Sequence, residues 1–198
     1  MKRTFWLALG AVLWAAGAAA QEPPKIVRGV VTKVQPGALI VRGRDGKAVT
    51  VALATTWSVS VMKAIGADAI QPGSFIGTAE MPQADGSGRS LEVHIFPPGV
   101  KMGEGHYAWD LKPRSMMTNG TVGKVVASRK GRELDVTYPN GTRHLVVPAR
   151  VPIVQITGGT RDQVKPGVSV FMIVAPAAGG GLSSGAVAIG EGGKAPPM

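Results

Sequence analysis

From Lys25 onward the apolar residues recur at alternate positions or in short runs. Period two is the mark of a half-buried strand, because successive side chains leave a strand on opposite faces. No long stretch carries the three-and-four spacing of an amphipathic helix. Only Ala64 to Ala69 and Thr160 to Val164 read as single helical turns. The valine-rich strands are punctuated by 28 glycines and 15 prolines, which favour turns. Asp45-Gly46 and Asn140-Gly141 are hairpin signals, since both turn residues tolerate positive φ.

The strand pattern occurs twice. Gly29-Val30-Val31-Thr32-Lys33-Val34 matches Gly120-Thr121-Val122-Gly123-Lys124-Val125, a shift of 91 residues. Gln71-Pro72-Gly73-Ser74 matches Lys165-Pro166-Gly167-Val168, and Leu91-Glu92-Val93-His94-Ile95 matches Gly185-Ala186-Val187-Ala188-Ile189, both at a shift of 94. The difference places a few extra residues of the second copy near Ser128 to Arg132. Five or so short antiparallel strands per copy predict an all-β protein of two tandem small OB-like β-barrels, each closed or partly open, closure being what keeps a small sheet from exposing its edges. The expected boundaries are 25–96 and 119–190, with a connector at 97–118 and a disordered tail at 191–198.

The first twenty residues change the compartment rather than the fold. Lys2 and Arg3 precede an apolar run that ends in Ala18-Ala19-Ala20, the layout of a secretory signal peptide cleaved near Ala20. The apolar run is short for a spanning helix, and nothing after it is apolar enough to cross a bilayer. The product is expected in the periplasm or secreted. Its lack of cysteine excludes disulfides, thiolate metal sites and a cysteine nucleophile. Losing Lys2 and Arg3 lowers the net charge from +10 to +8. A basic exported chain meets anionic polymers and head groups. Nucleic acid is not expected as a partner, because of the export signal and because the basic residues are scattered.

The repeated G-x-V-x-x-V, the Asp45-Gly46-Lys47 hairpin and the Gln71-Pro72-Gly73 turn resemble the exported bacterial domain of unknown function 5666, which commonly occurs in tandem behind a signal peptide. The resemblance covers nearly all of the chain after the leader. It implies a small OB-like barrel and transfers no catalytic residue. Similar chains with H-x-F-P…G-E-G-H-x-x-W-D between the repeats carry a metal transporter permease label, but this chain has no apolar span beyond its leader.

The connector HIFPPGVKMGEGHYAWD holds the densest chemistry. His94, Glu104, His106 and Asp110 offer two imidazoles and two carboxylates, a donor set that suits zinc. Adding Met102, or Met116 and Met117, turns it toward copper. The spacing fits no standard ligand motif. The competing reading is packing, in which Tyr107, Trp109, Met116 and Met117 fill the junction between barrels and Glu104 or Asp110 pairs with a nearby cation. On the barrel faces, Arg42, Arg44, Lys47 and Trp57 of the first copy could bind a ligand, with Arg129, Lys130, Arg132 and Arg143 of the second. Catalysis finds little support. Ser183-Ser184 is not set in a nucleophile elbow, Asp45 and Asp85 fall in turns, and His144 reads as an exposed cross-strand residue. The expected role is an exported, non-enzymatic binding or adaptor module of the bacterial envelope with an anionic ligand. The alternative is a periplasmic metal-binding accessory for zinc or copper.

Overall fold

A computed structural model describes residues 25–128, 131–177 and 179–198. The leader-like segment 1–20, with Arg129 and Lys130, lies outside the described residues. The alternating pattern becomes strands throughout. A meander of β1 (Lys25–Gln35), β2 (Ala38–Gly43) and β3 (Ala48–Ala64) is followed by a 3₁₀ turn at Ala67–Ala69. Then come β4 (Phe75–Pro82), β5 (Gly88–Ser90), β6 (Val93–Ile95) and β7 (Gly105–Ala108). The second meander is β8 (Met116–Ser128), β9 (Gly131–Tyr138), β10 (Gly141–Pro148) and β11 (Ile153–Gly159). A 3₁₀ turn at Arg161–Gln163 leads to β12 (Ser169–Pro176) and β13 (Leu182–Gly190). These two 3₁₀ turns stand where single helical turns are expected, and a third, Glu191–Gly193, follows β13. Among the described residues, no helix is long and apolar enough to cross a membrane.

The strands close into a five-stranded barrel, β1–β2–β3–β13–β12 and back to β1. A second hydrogen-bonded circuit runs β4–β5–β10–β9–β8 and returns to β4. Its link between β5 and β10 is short, with Leu145 opposite Gly88 and Val146 opposite Arg89. Neither circuit is a contiguous segment. The first takes β1 to β3 from one copy of the repeat and β12 and β13 from the other. The second takes β8 to β10 from the later copy and β4 and β5 from the earlier one. The expected boundaries 25–96 and 119–190 therefore do not coincide with the circuits. The physical reason lies in β3, whose 17 residues outrun one small barrel. Its far half pairs with β11 and delivers the chain to the other circuit.

The repeat is visible in the exchange. In the β3–β11 pair, Met62 faces Ile156, its own equivalent at the 94-residue shift. The two Pro-Gly turns lock the crossovers reciprocally. Gly73 and Gly167 both hold positive φ, 84° and 92°, as the third residue of a turn led by proline requires. Gly73 N–H donates to Val122 O at 2.7 Å, and Gly167 N–H donates to Val31 O at 2.8 Å.

Alternation now has a destination. Val31, Leu39, Val41, Val51, Met172 and Val187 fill the first circuit. Ile76, Val93, Val122, Leu134, Val136 and Leu145 fill the second. The plugs Ile70 and Val164 are repeat equivalents, one beneath each of the first two 3₁₀ turns. A third cluster lies between the circuits, with Met62, Ala79, Trp109, Met117, Val154 and Phe171.

Two segments depart from expectation. The connector 97–118 contributes a strand, β7, which pairs with the first residues of β8. The tail 191–198 is ordered. Gly190 N–H donates to Lys194 O at 3.1 Å, Met198 is buried in the third cluster, and its main-chain oxygen accepts from Arg28 Nε at 2.8 Å. Burial of Met198 and this bond offset the entropy that would otherwise free a glycine-rich tail.

Candidate functional site

The third cluster does not fill its space. A cleft of about 570 Å3 opens along the seam, within the range of small-molecule sites. Its walls are mostly apolar and include Met62, Met102, Met117, Phe96, Trp109 and Phe171. Trp109 lies 6.2 Å from Tyr107, edge to face, and 6.3 Å from Phe171.

The polar end of the cleft comes from one rung of the β6–β4–β8–β7 sheet. His94 pairs with Gly77, Gly77 with Asn119, and Asn119 with Gly105. Residues on one rung share a face, so His94 and Asn119 flank Gly77 on the seam side. A Cβ on Gly77 would overlap both His94 Nε2 and Asn119 Oδ1. Those two atoms are therefore neighbours above a residue that has no side chain.

Each is oriented from behind. Glu92, wholly buried, accepts the Ala79 N–H at Oε1 (2.7 Å) and meets His94 Nδ1 at Oε2 (3.0 Å). A carboxylate there accepts a hydrogen bond from Nδ1–H, and in the neutral ring this leaves Nε2 as an acceptor. Asn119 Nδ2 donates to Gly103 O and to Tyr107 Oη, both at 2.9 Å. The Gly103 carbonyl can only accept, which fixes the amide orientation and aims Oδ1 at the imidazole. Asn119 Oδ1 and Trp109 Nε1 are buried without a hydrogen-bond partner among the described residues. Burial raises the Tyr107 hydroxyl above its usual pKa, the bond from Asn119 opposing the shift, so the hydroxyl stays protonated.

The next rung faces the other way. His106 pairs with Thr118, and Thr118 with Thr78, beside the core of the second circuit. There Glu80, wholly buried, takes Arg143 Nε at 2.8 Å and has His106 Nδ1 at 3.6 Å. Burial raises the Glu80 carboxyl above 4.5, with the Arg143 charge opposing. Burial, then the Arg143 charge, lowers the His106 imidazole below 6.5. His106 Nδ1 also meets Thr118 Oγ1 at 2.9 Å, and the ring stacks on Tyr138.

This parity takes the expected metal set apart. His94 and His106 stand on opposite faces of one sheet. Asp110 is held by both terminal nitrogens of Arg28 at 2.7 Å, and Glu104 is exposed. Met102 lines the cleft. Among the described residues, no three His, Asp or Glu side chains converge as a metal group. The same parity corrects the junction set. Tyr107, Trp109 and Met117 belong to the seam cluster, but Met116 pairs with Glu80 on the opposite face. Consecutive strand residues cannot both face one seam.

The barrel-face cations also divide. Arg42, Arg44 and Lys47 are exposed around the β2–β3 hairpin. Trp57 is half-buried beneath the Arg161 guanidinium, 4.9 Å from the ring centre. Arg132 is tied to Asp68, and Arg143 to Glu80 and to Gly86 O and Ser87 O. His144 is exposed against Asp135, as a cross-strand residue.

Sequence reasoning missed Gly77, Glu92 and Asn119. The repeat itself carried a signal for them. At the 94-residue shift Gly77 corresponds to Phe171, Glu92 to Ala186 and His94 to Ala188. The fold therefore builds the same strands without this polar group. No protein-family model, curated protein or solved structure matches the chain.

Proposed function

We propose that the protein is a non-enzymatic binding module of the bacterial envelope, and that its ligand is a small, mostly apolar molecule held in the seam cleft. The observation that carries this reading is the cleft itself. Its walls are apolar, and two buried polar groups at its margin, Asn119 Oδ1 and Trp109 Nε1, lack partners. A native interior rarely leaves such groups unmatched unless something else meets them. The leader read from residues 1–20 supplies the exported setting. The exposed Arg42, Arg44 and Lys47 support contact with an anionic envelope component, at a site apart from the cleft. The zinc or copper alternative retains only His94 and the cleft methionines in support.

The test is uptake of 1-aminoanthracene, an apolar fluorophore, by residues 21–198. Saturable binding at one site is expected. A bulky substitution at exposed Thr157 on the cleft wall, Thr157→Trp, should abolish it without touching either barrel core. Unsaturable fluorescence, or equal binding by the variant, would reject the cleft as the ligand site.

A further inference from the structure

We infer that the cleft selects ligands bearing a hydrogen-bond donor, a hydroxyl or amine on an apolar body, and that this donor sits between His94 Nε2 and Asn119 Oδ1. The inference rests on the cleft being the ligand site and specifies what that site recognises.

Both atoms are acceptors for separate reasons. Asn119 turns its Nδ2 to the Gly103 carbonyl and the Tyr107 hydroxyl, so its oxygen must face His94. Glu92 fixes the His94 proton on Nδ1, since its carboxylate has only acceptors to offer. Two acceptors side by side cannot bond each other. Asn119 is 5% exposed, with its Oδ1 buried and unpartnered among the described residues, and His94 is 3% exposed. A hydroxyl entering from the cleft can donate its one proton to either acceptor, and an amine can donate to both.

The missing side chain of Gly77 lets His94 and Asn119 close over that position and stand side by side. At the repeat-equivalent position Phe171 fills the seam instead, with the Arg28 guanidinium 5.2 Å from its ring centre. Arg28 is itself the equivalent of Asn119 at the 91-residue shift, and it is fully engaged by Asp110 and Met198. One side of the seam is thus closed and matched. The other is open and presents two lone pairs. Apolar walls supply affinity with little selectivity, whereas a buried acceptor pair penalises a ligand that cannot donate.

The experiment is calorimetry of residues 21–198 with 2-naphthol, 2-methoxynaphthalene and 2-methylnaphthalene, which share an apolar body. 2-Naphthol is expected to bind at least about tenfold tighter than the other two. In His94→Phe that preference should collapse while 2-methylnaphthalene still binds. Because this variant removes a buried group, nitrogen NMR of the unaltered protein gives an independent reading. Free His94 should carry its proton on Nδ1, and its Nε2 resonance should move on adding 2-naphthol but not 2-methoxynaphthalene. Equal affinity for all three ligands overturns the donor inference and leaves the cleft reading standing. No binding of any of them overturns both. An Nε2 already protonated in the free protein overturns the inference alone, since that proton would satisfy Asn119 internally.

Discussion

Gly77→Ala tests the architecture of the site most directly, because two opposing effects set its sign. Gly77 has no positive φ, so its backbone accepts any residue. In open space the change would stabilise the fold by about 0.4–1 kcal/mol, by restricting the unfolded chain. Here the added carbon overlaps His94 Nε2 and Asn119 Oδ1. Neither can yield freely. His94 is tied to buried Glu92 at 3.0 Å, and Asn119 is tied to Gly103 and Tyr107 at 2.9 Å. Displacing one leaves a buried polar group unpaired, at about 1–3 kcal/mol. Crowding of the packed rung costs about 1–3 kcal/mol more. The expected net effect is a loss of about 2–4 kcal/mol. It would be measured by urea unfolding of residues 21–198, followed by tryptophan fluorescence. A chain of this length should lose on the order of 10 °C in Tm as well. Adding His94→Ala makes room, so the double variant should be more stable than the sum of the two single changes. Equal or higher stability for Gly77→Ala, or strict additivity in the double variant, would refute the crowded rung.

Two further outcomes follow from the other face of that sheet. Burial raises the folded pKa of Glu80 above 4.5, so its contribution to stability is complete below that value and declines as pH rises through the raised one. Glu80→Gln imitates the protonated form, so its stability relative to the parent should climb over the same window in urea unfolding at several pH values; a flat difference would contradict the assignment. His106 has the opposite sign, because its folded pKa lies below 6.5, and the stability it contributes is present above 6.5 and lost as pH falls through the lowered value. Proton NMR should place its midpoint below 6.5, and His106→Phe should flatten the slope of stability with pH just below that value.

Much of the fold was legible because strand physics is local. Alternation sends Leu39 and Val41 inward whatever barrel they enter. Asp45-Gly46 and Pro72-Gly73 bend the chain through their own dihedral limits. The duplication, with its shifts of 91 and 94 residues, is a property of the string alone. The candidate site was legible only in pieces. His94, Met102, Tyr107 and Trp109 drew notice as rare residue types in one connector, and all four line the cleft. The pairing of His94 with His106 failed, because proximity along a connector says nothing about which sheet face each residue takes. Gly77 and Asn119 carry no chemistry that a sequence advertises.

The sequence by itself determined an all-β chain, its repeat and its turns. Only the tertiary structure decided which strands complete the barrel and which the second circuit. Two similar copies offer two nearly equivalent sets of partners, and the length of β3 carries the chain past its own copy to the other. That exchange places Gly77 between His94 and Asn119 and opposes Phe171 to them across the seam. The cleft is therefore a product of long-range pairing, which no local pattern encodes.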